Sequence, residues 1–355
     1  MISGWIKIQN NRRRLTPVSM TMVHNVTAII KQADKDFLPH NLDNEYVEHR
    51  GRQQFCSFPL PLRRNMKFIL RFSKIIFHIH TKEKIEIDDT LKKFACANNF
   101  NADVTVLISW DWKTHAIPTA SMTGNDLVQN YYIEQDTYLC ETQGGAKGAI
   151  AMCRCTPDFS HIQCVLNLDD YAYIPRQMDF ILRTLPMRAI FQQFGTLFFH
   201  AAQIAVKDTG ILFTAPSGTG KTTQAKLWET YRGARRICAD RTLVRRLPEG
   251  WRTFGYPLDG SEPICSEEEH ALGAVVLLRQ GQQNQVVRLN GRHAIAALMP
   301  QMVIDGWSAE AKAREIELLA NLLEEIPVYQ LTCTPDEMAV RCLEQRLIKD
   351  GVIES

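Results

Sequence analysis

Gly210-Ile211-Leu212-Phe213-Thr214-Ala215-Pro216-Ser217-Gly218-Thr219-Gly220-Lys221-Thr222-Thr223 is the stretch on which the reading of this chain turns. Its first five residues are apolar and of the length of a buried strand. Beyond the glycines, Ala225, Trp228 and Tyr231 fall at helical spacing, and Gly233 marks the helix end. Strand, glycine-rich loop and helix together are the context in which such a loop binds phosphate. Gly218 and Gly220 let backbone N–H groups close around an anion, and the positive end of the helix dipole points to the same place.

The predicted cofactor-binding residues are Ala215, Pro216, Ser217, Gly218, Thr219, Gly220, Lys221, Thr222 and Thr223. A lysine at position 221 reaches β- and γ-phosphates as a flexible point charge, and the Thr222 hydroxyl is placed to ligate Mg²⁺ between them. The expected cofactors are therefore ATP and Mg. Ala215 departs from the G-x-x-x-x-G-K-[ST] pattern at a position that mainly needs a small residue.

The apolar run 196–206 precedes this stretch and is interrupted by His200. After the loop helix, Arg236–Ala239 is a short apolar run that ends in Asp240-Arg241. A carboxylate at the end of a strand beside a phosphate loop is where a Mg²⁺ ligand is needed, and Asp240 is the only one between Glu229 and Glu249. Farther on, Trp251–Phe254, Gly273–Arg279 and Val328–Cys333 read as strands, with Gly273–Arg279 central. Residues 293–299 and 311–323 read as helices. A closing helix through Leu347 is predicted with Thr334 as its N-cap and Pro335 in its first turn. The loop from Gly255 to Ser261 is expected beside the γ-phosphate.

In this order of elements, the His200 strand, the loop Ser217-Gly218-Thr219-Gly220-Lys221-Thr222, its helix and Ala239-Asp240, the chain resembles the HPr kinase/phosphorylase catalytic domain. That domain belongs to a nucleotide-binding group that includes phosphoenolpyruvate carboxykinase. The similarity is greatest to HPr-kinase-like proteins of peptide-modification systems. The resemblance implies an α/β fold, a P-loop domain with a mixed sheet. It also implies transfer of a γ-phosphoryl group to a hydroxyl, a serine of a small protein or precursor peptide. By the same resemblance Asp240 sits near Mg²⁺ and the acceptor, and His200 beside the phosphates or that aspartate. Candidate catalytic residues are thus Asp240, His200 and Lys221, with Thr222 and Asp240 as metal ligands. Where the family has a second aspartate this chain has Arg241, and Glu262 is a candidate replacement. No match to the family's phosphorylase signature is found. Two other readings stay open: an ATP-binding accessory protein that binds a peptide without turnover, and a carboxykinase-type enzyme on small metabolites.

Residues 66–195 read as a strand-rich α+β domain and 196–349 as the nucleotide-binding domain. In the first, alternation marks strands at 68–72, 77–80, 85–87, 104–108, 131–133, 137–141, 149–155 and 161–168, in a largely antiparallel sheet. A helical period follows over 175–194, with Pro186 kinking or splitting it. His78 and His80 share a strand face but have no third ligand nearby and read as solvent-facing. Cys153 and Cys155 read as ordinary buried strand positions.

Residues 1–65 carry ten Lys/Arg against five Asp/Glu and little periodic apolar pattern beyond a ragged helix at 21–31. They read as a poorly ordered basic extension, with Met66 as the natural beginning. The 355 residues as a whole have 45% hydrophobic and 23% charged residues and a net charge of +2, which gives no global case for nucleic acid or an anionic membrane. Ten cysteines without a C-x-x-C pair or zinc spacing read as reduced thiols of a cytoplasmic protein. No run reaches the length of a membrane span. The expected partner is a peptide or small-protein acceptor, and the reading leaves room for a homo-oligomer.

Overall fold

The computed structural model describes residues 66–354, apart from 98–99, 126–127, 145–146, 172–173, 259–261, 263 and 304–306. The expectations for 1–65 and for the tip of the 255–261 loop lie outside the described residues.

Alternation of apolar and polar residues produces eight strands in the first sheet: β1 (Met66–Phe72), β2 (Ile75–Thr81), β3 (Val104–Ser109), β4 (Met122–Asn125), β5 (Gln129–Glu134), β6 (Thr137–Gln143), β7 (Ala149–Cys155) and β8 (His161–Leu166). Their order is β1-β2-β3-β8-β7-β6-β5-β4. Only the β2–β3 and β3–β8 pairings are parallel, so the sheet is largely antiparallel as its short strands predict. Ser73 and Lys74 both take positive φ, which gives the β1–β2 turn the twist a two-residue hairpin needs. The strand expected at 85–87 is absent. Glu86 makes a single bridge to Gln177, and Asp88 then caps the short helix α1 (Asp89–Lys92) by accepting from the Leu91 N–H.

Pro186 divides the predicted helix into α2 (Met178–Thr184) and α3 (Met187–Gln193). The second sheet contains β9 (Thr196–Val206), β10 (Thr209–Thr214), β11 (Arg235–Cys238), β12 (Arg241–Leu247), β13 (Gly250–Gly255), β14 (Glu269–Gln280), β15 (Gln285–Arg288) and β16 (Val328–Cys333). Its helices are α4 (Lys221–Arg232), α5 (Gly291–Leu298), α6 (Ala309–Glu325) and α7 (Glu337–Lys349). The strand order is β10-β9-β12-β13-β14-β16-β15, and β10 also pairs in parallel with β14. The five strands β10, β9, β12, β13 and β14 thereby close into a hydrogen-bonded ring. This is a mixed α/β architecture with two large mixed sheets.

One face of the second sheet carries α4 and α7. Between them Ile204, Phe213, Val276, Tyr329 and Leu343 pack around Trp228, which is fully buried. Burial of side chains of this size contributes about 1.5–3 kcal/mol each, so α4 is held mainly by this contact. Tyr231, expected on the same stripe, is 42% exposed, and the buried stripe instead runs through Gln224, Ala225 and Trp228. The cap of α7 also differs from expectation. Asp336, not Thr334, accepts from the Ala339 N–H, and Pro335 precedes the cap. The Thr334 hydroxyl instead donates to Asp336 at 2.7 Å.

A second core runs without a break from the first sheet into the β9–β12–β13 side of the second. Tyr256 joins the two. Its ring packs edge-on against Phe72 of β1 at 5.9 Å, Phe191 of α3 at 5.5 Å and Phe198 of β9 at 5.0 Å. Among the described residues no helix is long and apolar enough to cross a membrane.

Candidate functional site

The site follows from what flanks β9. On one edge β10 runs antiparallel to it and sets Thr214 opposite Ala201, so the chain leaves the sheet into Ala215–Gly220 beside His200. On the other edge β12 sets Arg241 opposite His200. Asp240 lies in the bend between β11 and β12, and its carbonyl accepts the Ala201 N–H at 2.9 Å. The Thr214 hydroxyl donates to the His200 carbonyl at 2.9 Å and locks the other edge. Three distant parts of the sequence therefore meet at one strand end by ladder geometry.

The loop itself is conformationally demanding. Gly218 takes φ +77° and Gly220 φ +118°, and Gly220 occupies the N-cap of α4 without offering it a side chain. The first-turn N–H groups of α4, which have no partner within a helix, face the loop, and the helix dipole adds to their positive potential. Lys221, the first residue of α4, is only 7% exposed. Its Nζ donates to the Ala215 carbonyl at 3.0 Å and to His200 Nε2 at 2.8 Å.

That contact assigns the histidine. An ammonium can only donate, so Nε2 is the acceptor and the ring proton sits on Nδ1. Nδ1 approaches Asp240 Oδ1 to 3.2 Å, off the direction of a hydrogen bond, and so remains buried without one. Burial, then the charges of Lys221 and Arg241, hold the His200 pKa below its ordinary value against the pull of Asp240. The imidazole is neutral at pH 7. Burial likewise lowers the pKa of Lys221, with Asp240 opposing and Arg241 adding to the shift.

Arg241 occupies the neighbourhood where a second carboxylate was sought. Its Nε is 3.7 Å from Asp240 Oδ2, and its guanidinium lies over the Phe198 ring at 5.9 Å. Glu262 does not join the group. It pairs with Lys226 at 2.8 Å and Arg236 at 3.0 Å, tying α4 to β11. Lys221, His200, Asp240 and Arg241 thus form one connected row. Thr222 is half-buried, whereas Pro216, Ser217 and Thr223 are exposed around the loop.

On the far side of the loop lies a cleft of about 760 Å³, lined by Gly218, Thr219, Thr223, Gln280, Cys333 and Pro335. The sequence carried no sign of it, because its walls come from the ends of β14 and β16, remote in the chain. Of the two other candidate clusters, Cys153 and Cys155 are buried as read, whereas His78 and His80, expected to face solvent, are half-buried ring neighbours with centroids 6.4 Å apart, and His78 Nε2 lies 3.0 Å from the Phe100 carbonyl. No group of three or more metal-ligating side chains occurs among the described residues.

The family model described as "SynChlorMet cassette protein ScmC" matches residues 164–345, just over half of the chain. Among solved structures, the HPr(Ser) kinase/phosphatase from Coxiella burnetii aligns at 10% identity, covering 43% of this chain and 98% of that one, with a TM-score of 0.27. No curated protein sequence matches. The chain belongs to the ScmC family of SynChlorMet cassette proteins.

Proposed function

We propose that this ScmC-family chain is an ATP- and Mg²⁺-dependent kinase that transfers the γ-phosphoryl group to a hydroxyl, a serine of a precursor peptide or small protein. The observation that carries the reading is the row Lys221–His200–Asp240, in which Lys221 Nζ is 2.8 Å from His200 Nε2 and His200 Nδ1 is 3.2 Å from Asp240 Oδ1. It stands at the mouth of a loop with two positive-φ glycines. An anion site, a mobile cation and a base beside them are the parts that phosphoryl transfer requires.

The loop N–H groups and the start of α4 would cradle the phosphates, with Ala215–Thr223 around them. Lys221 would leave His200 for the phosphate oxygens, which removes the donor from Nε2 and a repelling charge from the ring. One hydroxyl and one carboxylate, Thr222 and Asp240, suit Mg²⁺, which takes most of its ligands from phosphate and water and supplies charge neutralisation when bound. Asp240 would accept the proton of the acceptor hydroxyl as its oxygen bonds to the γ-phosphorus and the bond to ADP breaks. His200 would orient that carboxylate. Arg241 would face charge on the transferring group, a role in which a guanidinium accelerates transfer.

The position of Arg241 at 3.7 Å from Asp240 also favours a second reading, in which the carboxylate is neutralised and the protein binds ATP without turnover. One experiment separates them. Purified protein with γ-labelled ATP, Mg²⁺ and a pool of serine-containing peptides should yield labelled peptide. Lys221→Ala and Asp240→Asn should each reduce the rate by about 10²-fold or more. Tight nucleotide binding without label would move the accessory reading ahead, and absence of nucleotide binding would sink both.

A further inference from the structure

The cleft on the far side of the loop is not used by the row Lys221–His200–Asp240, and its place in the sheet argues for a ligand. β10, β14 and β16 run parallel, with Thr214 opposite Leu277 and Gln280 opposite Cys333. Their carboxyl ends therefore form one rim, and the loop and α4 start from it just beyond Thr214. In α/β sheets ligands settle outside such carboxyl ends, where loops and helix N-termini gather. β9 pairs with the opposite edge of β10 and carries His200. The loop thus has the row of site residues on its β9 flank and the cleft on its β14 flank.

The chemistry of the wall suits a neutral, polar ligand. No lysine, arginine, aspartate or glutamate is among the described residues that line it, so it offers nothing to a second anion. Three amides line it instead, Gln224, Gln280 and Gln282, with Leu278, Cys333 and Pro335 as their less polar complement. Gln280 Nε2 donates to the Thr219 carbonyl at 3.4 Å and joins the wall to the loop. Gln224 is only 2% exposed; its Nε2 meets Cys333 Sγ at 3.3 Å, and its Oε1 is buried without a hydrogen-bond partner. A buried acceptor in that state costs about 1–3 kcal/mol, which a ligand N–H reaching it would relieve. Glutamine amides match the adjacent donor and acceptor on a nucleobase edge, and the base offers a flat face to apolar side chains. The volume of about 760 Å³ falls in the range of about 300–1,000 Å³ usual for small-molecule sites.

We propose that this cleft holds the nucleoside half of the nucleotide, with the base among the glutamine amides and the phosphates crossing the loop toward Asp240. The inference deepens the ATP reading and rests on it for the identity of the ligand. It also sets a direction. The base enters at the β14–β16 rim, the γ-phosphate ends on the β9 flank, and the acceptor hydroxyl arrives from the side of Arg241. Base and acceptor then never compete for one space.

The half-buried thiol of Cys333 in the cleft wall supplies the test. Alkylation of the wild-type protein by iodoacetamide, followed peptide by peptide in mass spectra, is compared with Mg²⁺ alone, with Mg²⁺ and pyrophosphate, and with Mg²⁺ and ADP. ADP at about ten times its Kd should slow alkylation of Cys333 about tenfold. Pyrophosphate at the same multiple of its own Kd fills only the loop and should leave the rate within about twofold. Cys96, also half-buried but outside the cleft, should react equally in all three. A wedge variant, Cys333→Phe, should weaken ADP binding about tenfold or more in calorimetry while pyrophosphate binds as before, which also shows that the variant is folded. Equal protection by the two ligands, protection by serine peptides but not by ADP, or a Cys333→Phe protein that binds ADP as the parent does overturns the proposal. Parallel incubation with γ-labelled ATP and peptides keeps the two ideas apart. Labelled peptide without protection of Cys333 sinks the cleft and leaves the kinase, and protection without labelled peptide does the reverse. Absence of ADP binding sinks both.

Discussion

Replacing Gly220 with alanine isolates what the loop demands of its backbone. A Cβ at this position meets nothing within 4 Å, so no collision contributes. The whole cost is conformational, because φ +118° and ψ 21° lie about 60° in φ beyond the left-handed well that other residues visit. Sparsely populated backbone regions cost about 1–3 kcal/mol. Alanine recovers about 0.4–1 kcal/mol by stiffening the unfolded chain. The net expectation is destabilisation of about 1–2 kcal/mol, or about 2–6 °C in Tm for a chain of this size. Gly218, at φ +77°, sits nearer the well, and Gly218→Asn should cost less than about 1 kcal/mol. Urea unfolding of the three proteins, with and without Mg·ATP, reads both effects. Relaxation of residue 220 turns N–H groups away from the loop, so the stabilisation by nucleotide should shrink in Gly220→Ala as well. A change below about 0.5 kcal/mol in Gly220→Ala, or an equal cost in Gly218→Asn, would refute the claim that dihedral angle is what requires glycine here.

Gly210→Ala should fail for the opposite reason. Its Cβ would stand 2.4 Å from Thr253 Cγ2 inside a filled core, and overpacking of this kind costs about 1–3 kcal/mol. Thr253→Ser removes that methyl, and the double variant should regain at least half of the loss in chemical denaturation. The depressed pKa of His200 gives a pH dependence of definite sign. The folded state binds fewer protons than the unfolded one below the unfolded value of about 6.5, so stability present above that pH is lost as pH falls through the lowered folded value. His200→Gln should flatten the unfolding free energy between about pH 7.5 and 5 relative to wild type, and parallel curves would contradict the assignment of a neutral, Nδ1-protonated ring.

Much of the second sheet was legible because its signals are local. The run 209–214, the glycines and the αL Gly233 mark the start and stop of their elements, and Pro186 splits a helix by the loss of its N–H. The placement of His200 and Asp240 near the loop was legible too, since both abut strands next to it. Other features were not. β12 reads Arg241-Thr242-Leu243-Val244-Arg245-Arg246-Leu247, and its charged residues hide a strand whose Leu243 and Val244 are fully buried. The strand expected at 85–87 shows the converse failure, because alternation of Ile85 and Ile87 needs only one apolar wall and no ladder partner. The Lys221–His200 contact depends on antiparallel register, and the cleft beside the loop depends on strand ends that come later in the chain. Neither leaves a periodic trace.

The ring of strands under the site has a kinetic consequence. β9 and β10 meet through a tight hairpin that pairs Val206 with Thr209, a contact that can form in microseconds. The parallel seam that sets Thr209 opposite Ala271 must instead wait for a long segment to be ordered, and the loop-closure entropy of that step opposes it until the seam is made. Folding is therefore expected to reach the loop and its lysine early but to fix their surroundings late. Amide hydrogens along β10 that face β14 should be the last in this sheet to gain exchange protection during refolding, while those facing β9 gain it first.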